Sequence, residues 1–146
     1  MNANRLAVQA TNHCLTGCGI GEVLGMVLAT WWGWGNAASI ALAIALAFVF
    51  GYSLTLIPLL RAGTALGAAI GIALVADTLS IATMELVDNA VLLLWPGAMD
   101  AYLDDALFWI ALGIALAVAW GPTFLVNRAL INRGRGHARA HAAHGH

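Results

Sequence analysis

Four apolar stretches separated by short polar or glycine-rich breaks take up nearly the whole chain, at roughly 13–34, 37–60, 65–95 and 106–127. As helices rising 1.5 Å per residue, each is long enough to cross about 30 Å of hydrocarbon. The pattern predicts an all-α integral membrane protein built as a four-transmembrane-helix bundle. Residues 1–12 form an N-terminal segment, 13–131 the membrane domain and 132–146 a histidine-rich tail.

The third stretch departs most from a plain apolar span. LVADTLSIATMELVDNAVLLL, residues 74–94, carries Asp77, Glu85 and Asp88. At 100° per residue, Asp77, Met84 and Asp88 fall within about 40° of one another, with Glu85 on the flank. A carboxylate at the centre of a bilayer costs roughly 2.5–3.5 kcal/mol on insertion scales, so leucine there would have been cheaper. An acidic stripe that survives this cost is the main functional clue.

The first stretch supplies a matching line. In HCLTGCGIGEVLGM, residues 13–26, Cys14, Cys18, Glu22 and Met26 recur every fourth residue, with His13 at the mouth. Such a line drifts only about 40° per step along a helix. The polar pair Thr11–Asn12 could cap the start of this helix. Counting from that start, Glu22 and Asp77 come to similar depths, roughly 12–20 Å from the inner end, and could meet. Gly17, Gly21 and Gly25 run beside the line as a small-xxx-small face that lets another backbone approach closely.

Helix 2 reads as scaffold, with Ala43, Ala47 and Gly51 as a second small-residue seam. The turn Arg61-Ala62-Gly63 makes helices 2 and 3 antiparallel neighbours. Helix 3 adds Gly67 and Gly71, and helix 4 adds Gly113, Ala117 and Gly121, with a kink expected at Gly121-Pro122.

Composition excludes a soluble domain: 62% of residues are hydrophobic and 9% charged, against about 25% charged in soluble proteins. Net charge is only −1, yet Arg5, Arg61, Arg128, Arg133, Arg135 and Arg139 all fall on one side of the four spans. The positive-inside rule then places both termini in the cytoplasm, in an inner-membrane, N-in/C-in arrangement. Trp31, Trp32, Trp34 and Trp95 suit the opposite aromatic belt. Glu22 interrupts what would be the apolar core of a signal peptide, so the first span is expected to be retained. Topology accounts for the arginines without a nucleic-acid partner.

Two thiols, carboxylates and thioethers in register suggest stations for a transition metal, with Cu(I) favoured by the soft sulfur ligands and zinc as the alternative. His13, Cys14 and Cys18 would receive the ion at the inner mouth. Glu22, Met26, Asp77 and Met84 would continue the path, and Glu85 and Asp88 would form the outer exit. His137, His141, His144 and His146 in the tail would concentrate ions. The structural counter-reading is that the cysteines merely pack between helices. In the same reading the carboxyls bind one another or Thr78, Ser80, Thr83 or Asn89, locking the bundle. The absence of any lysine or arginine within the spans to pair with these acids favours a functional role. No GxSxG, HExxH or phosphate-binding glycine loop occurs, so no enzymatic activity is expected.

At HCLTGCGIGEVLGM and ADTLSIATMELVDNAVLLLWPGAMD the chain resembles a bacterial membrane family known as domain of unknown function 4396, over about His13 to His137. That resemblance implies a small helical integral membrane protein and no particular activity. The residues therefore carry the expectation: membrane-embedded metal binding or transport in contact with the lipid bilayer, in a homodimer or larger membrane complex. The alternatives are a non-catalytic accessory subunit and proton-coupled transport of a small solute.

Overall fold

A computed structural model describes residues 2–133 and contains four helices, α1 (Ala3–Trp32), α2 (Asn36–Arg61), α3 (Leu66–Leu94) and α4 (Ala106–Asn132). All four are long and apolar enough to cross a membrane. The tail residues His137, His141, His144 and His146 lie outside the described residues.

The helices follow one another around a closed bundle. Successive helices pack on one another, α4 closes against α1, and α1 also reaches α3 across the diagonal. The short connections make successive helices antiparallel, so α1 and α3 run the same way. Arg5, Arg61, Arg128 and Arg133 consequently gather at one end, all exposed. Trp31, Trp32 and Trp34 gather at the other, exposed by 80%, 53% and 46%.

What the bundle buries is mostly small or polar: Ala7, Ala47, Ala76, Ala115 and Ala119, with Thr11, Asp77, Ser80, Asp88 and Asn127. What it exposes includes Leu86, Leu93, Leu94, Val49 and Leu125. This inversion of the soluble pattern suits a lipid-facing surface, where close backbone contact and interhelical hydrogen bonds hold helices together.

The seam expected from the glycines joins α1 to α2. A Cβ built on Gly17 would lie 2.9 Å from Gly51 Cα, one on Gly21 2.6 Å from Ala47 Cα, and one on Gly25 2.7 Å from Ala43 Cα. Gly67, Gly71, Gly113 and Gly121 would instead meet nothing within 4 Å. The small residues of α1 and α2 are thus matched within the chain, while those glycines of α3 and α4 face outward.

Two boundaries differ from the sequence expectation. Helix α1 begins at Ala3, where Asn2 Oδ1 accepts the Arg5 N–H at 2.9 Å, and not at Thr11–Asn12. Thr11 is fully buried and donates to Ala7 O, while Asn12 accepts from the Trp120 indole N–H. Helix α4 continues through Pro122 to Asn132.

Candidate functional site: a buried three-carboxyl centre

The earlier start of α1 sets the register of the polar groups. Glu22 and Glu85 each lie 19 residues past the first residue of their helix. Because α1 and α3 run parallel, they come to the same depth, and Asp88 lies one turn further on the same face of α3. Glu22, Glu85 and Asp88 each present a carboxylate oxygen within 4.8 Å of the other two, and all three are buried. Glu22 and Glu85 interact directly. The Cys18 thiol stands in electrostatic contact with Glu85 and Asp88.

One amide serves the whole cluster. Asn89 Nδ2 lies 3.3 Å from Glu22 Oε1, 3.2 Å from Glu85 Oε2, 3.1 Å from Asp88 Oδ1 and 2.8 Å from the Glu85 carbonyl. An amide NH2 has two protons to give, so it cannot satisfy four acceptors at once. Glu85 Oε1 and Asp88 Oδ2 have no hydrogen-bond partner among the described residues. Glu85 is 3% exposed and Asp88 is fully buried. The described arginines sit exposed at the helix ends, so this negative charge must be neutralised by bound protons or a bound cation. A cavity of about 40 Å³, reached by Glu22, Asn89, Met26, Ser39 and Met99, adjoins the cluster. A water molecule needs roughly 10–15 Å³ by this measure, so the space is large enough for water beside the Glu22 carboxyl.

Asp77 and His13 belong to a separate polar layer. Asp77 lies two turns, about 12 Å, from Glu85 toward the arginine-bearing end. It interacts with the Thr55 hydroxyl of α2, which is also 2.8 Å from His13 Nε2. Thus His13, Thr55 and Asp77 link three helices, and Glu22 meets Glu85 and Asp88 in place of Asp77. A third network links Ser80, Asn127 and Thr11: Asn127 Nδ2 donates to Thr11 Oγ1 at 3.0 Å, and Ser80 Oγ donates to Asn127 Oδ1.

The sulfur groups occupy the layer between the two acidic levels. Cys14 and Cys18 lie 3.8 Å apart, sulfur to sulfur, and share a core cluster with Ile81 and Met84. None of these four is more than 2% exposed. An open inner mouth at His13, Cys14 and Cys18 is therefore not what forms, because the ten residues from Ala3 to Asn12 extend α1 beyond them. Asp88 is fully buried, and Met26 lines the cavity beside Glu22.

Spacing brought Cys18, Glu22, Glu85 and Asp88 forward as site residues. It gave no such weight to Asn89, seen only as one lock partner among several, although Glu85 and Asn89 stand one helical turn apart. Thr55, Asn127, Ser39 and Met99 carry no comparable signal, since a hydroxyl, an amide or a thioether in an apolar run is compatible with ordinary packing.

The profile of the family described as Domain of unknown function (DUF4396) matches residues 4–136. No curated protein and no solved structure matches the chain.

Proposed function

The chain belongs to the DUF4396 family, and we propose that its three-carboxyl centre binds a divalent first-row metal cation within the membrane and hands it across the bundle. The observation that carries this reading is the deficit of donors at the centre: three buried carboxyl groups share one amide, and two of their oxygens lack a hydrogen-bond partner among the described residues. A divalent cation supplies the missing positive charge and several coordination positions at once. Oxygen ligands with one neighbouring thiol suit zinc or manganese better than Cu(I). Cu(I) belongs, in this reading, to the adjoining patch of Cys14, Cys18 and Met84, a second and softer station. In this reading the arginine-bearing end faces the cytoplasm, as the positive-inside rule favours, and the membrane is taken as the inner one. Transport requires the ion to leave toward either face, and the His13–Thr55–Asp77 layer is the next polar level on the arginine-bearing side.

The test is a Zn2+ titration of the full-length protein in nanodiscs against a chromophoric chelator. His137, His141, His144 and His146 are replaced by alanine so that the tail does not compete. One Zn2+ per chain is expected, with affinity falling by at least about 100-fold in Glu22→Gln, Glu85→Gln and Asp88→Asn, the upper range seen on losing groups around a metal. Affinity unchanged in all three variants would remove the centre from the proposal.

A second reading has its own observation. The glycines at 67, 71, 113 and 121 open onto empty space, as they would if another membrane helix, from a second copy or a different subunit, packed there. A stoichiometric partner recovered by crosslinking in membranes, together with no metal bound, would favour an accessory subunit.

A further inference from the structure

Two cavities lie in line between the carboxyl centre and the tryptophan-bearing end. The inner one, about 40 Å³, touches Glu22 and Asn89. The outer one, about 350 Å³, is bounded by Thr30, Trp34 and Asn36 on the α1–α2 side and by Asp100 and Tyr102 on the α3–α4 side. Met26, Ser39 and Met99 line both. They form the boundary that the two spaces share, and Met26 is fixed there by the Thr30 hydroxyl, which donates to its sulfur at 3.4 Å.

In the other direction the centre is closed. Cys14, Cys18, Ile81 and Met84 fill the adjacent layer with at most 2% exposure each. The lengths agree with this asymmetry. From Glu85 the last residue of α3, Leu94, is nine residues or about 14 Å away, whereas the first, Leu66, is 19 residues or about 28 Å away.

Resting on the cation reading above, we infer that the carboxyl centre exchanges its ion with the tryptophan-bearing side, through a vestibule whose neck is Met26, Ser39 and Met99. The vestibule has chemistry suited to a hydrated cation. Asp100 supplies negative charge at its wall, and Asn36, Thr30 and Ser39 supply oxygen ligands that can replace water one at a time. The two thioethers at the neck add sulfur ligands that a softer first-row cation can use beside the Ser39 oxygen and that a hard, strongly hydrated ion such as Mg2+ cannot. The neck is therefore a selectivity element as well as a gate. The sulfur layer behind the centre keeps the opposite side shut in this conformation.

The experiment places a cysteine at the neck and uses it both as reporter and as plug. Full-length Ser39→Cys, in the background with the tail histidines replaced, is reconstituted in nanodiscs and treated with a bulky, charged thiol reagent. Intact mass records the labelling. The expected result is modification of Cys at position 39 with Cys14 and Cys18 untouched, and Zn2+ protecting that position from reagent. After labelling, Zn2+ association followed by stopped flow slows by about tenfold or more, while the amount bound at equilibrium is preserved. Labelling with an unchanged association rate overturns the vestibule as the route, and so does failure of the position to label. Met99→Trp, which fills the neck without a reagent, gives the same comparison independently. Zn2+ binding absent even before labelling defeats the carboxyl centre itself, and the entrance with it. That outcome is distinct from a centre that binds normally but does not load through the neck.

Discussion

Asn89 on α3 reaches Glu22 on α1 across the diagonal of the bundle, its Nδ2 3.3 Å from Oε1, although the two residues are 67 positions apart. The contact joins the line of α1 to the stripe of α3, and the same amide also approaches Glu85 and Asp88. It is an amide donor that all three carboxyls share.

Replacing Asn89 by leucine therefore leaves three buried carboxyls without their shared donor. The expected loss is about 1–3 kcal/mol of stability, the cost of leaving buried polar groups unsatisfied, measured by SDS unfolding in mixed micelles. Zn2+ should stabilise the wild type more than this variant. At 100 times its dissociation constant, a ligand bound only by the folded state adds about 2.7 kcal/mol. Equal Zn2+ stabilisation of both proteins would show that Asn89 does not organise the centre.

Asn127→Leu should cost less. Thr11 retains its bond to Ala7 O at 2.7 Å, and Ser80 its bond to Ala76 O at 3.3 Å. The partners thus keep an acceptor when the amide goes. Interhelical hydrogen bonds in a membrane average about 0.6 kcal/mol and reach about 1.7. A loss above that range in the same unfolding assay would mean the network does more than join α1, α3 and α4.

Gly21→Ala and Gly113→Ala separate the closed seam from the open face. At Gly21 the new methyl meets Ala47 backbone, which cannot rotate away, and overpacking of about 1–3 kcal/mol is expected. At Gly113 the methyl meets nothing within 4 Å. Alanine there gains up to about 1 kcal/mol of helix propensity in the isolated bundle. A clear destabilisation of Gly113→Ala in native membranes, absent in detergent, would instead reveal a partner on that face.

Cys14→Ser with Cys18→Ser divides the metals. Cu(I) binding, measured under reducing conditions against a competing chelator, should disappear, while Zn2+ affinity changes by no more than about threefold, since the oxygen ligands remain. A parallel collapse of Zn2+ binding would make Cys18 a ligand of the carboxyl centre.

The chain's own pattern determined the four apolar helices, their antiparallel succession and the faces on which each polar or glycine residue lies. Those properties follow from length, hydropathy and the 100° turn per residue, all of which belong to a single helix. Hence the line of Cys14, Cys18 and Glu22 and the stripe of Asp77, Glu85 and Asp88 were legible, as were the glycines of α1. Tertiary structure decided which of these groups meet. Axial register between helices depends on where each one starts and how its surface interlocks with its neighbours. Here the Asn2 cap lengthens α1 by ten residues, and Gly17, Gly21 and Gly25 seat on Gly51, Ala47 and Ala43. That packing puts Glu22 level with Glu85 rather than Asp77, joins His13 to Thr55, and gives Asn89 its place among the carboxyls. A single-helix periodicity contains no term for such an offset, so only the assembled bundle could show the carboxyl cluster and the cavities beside it.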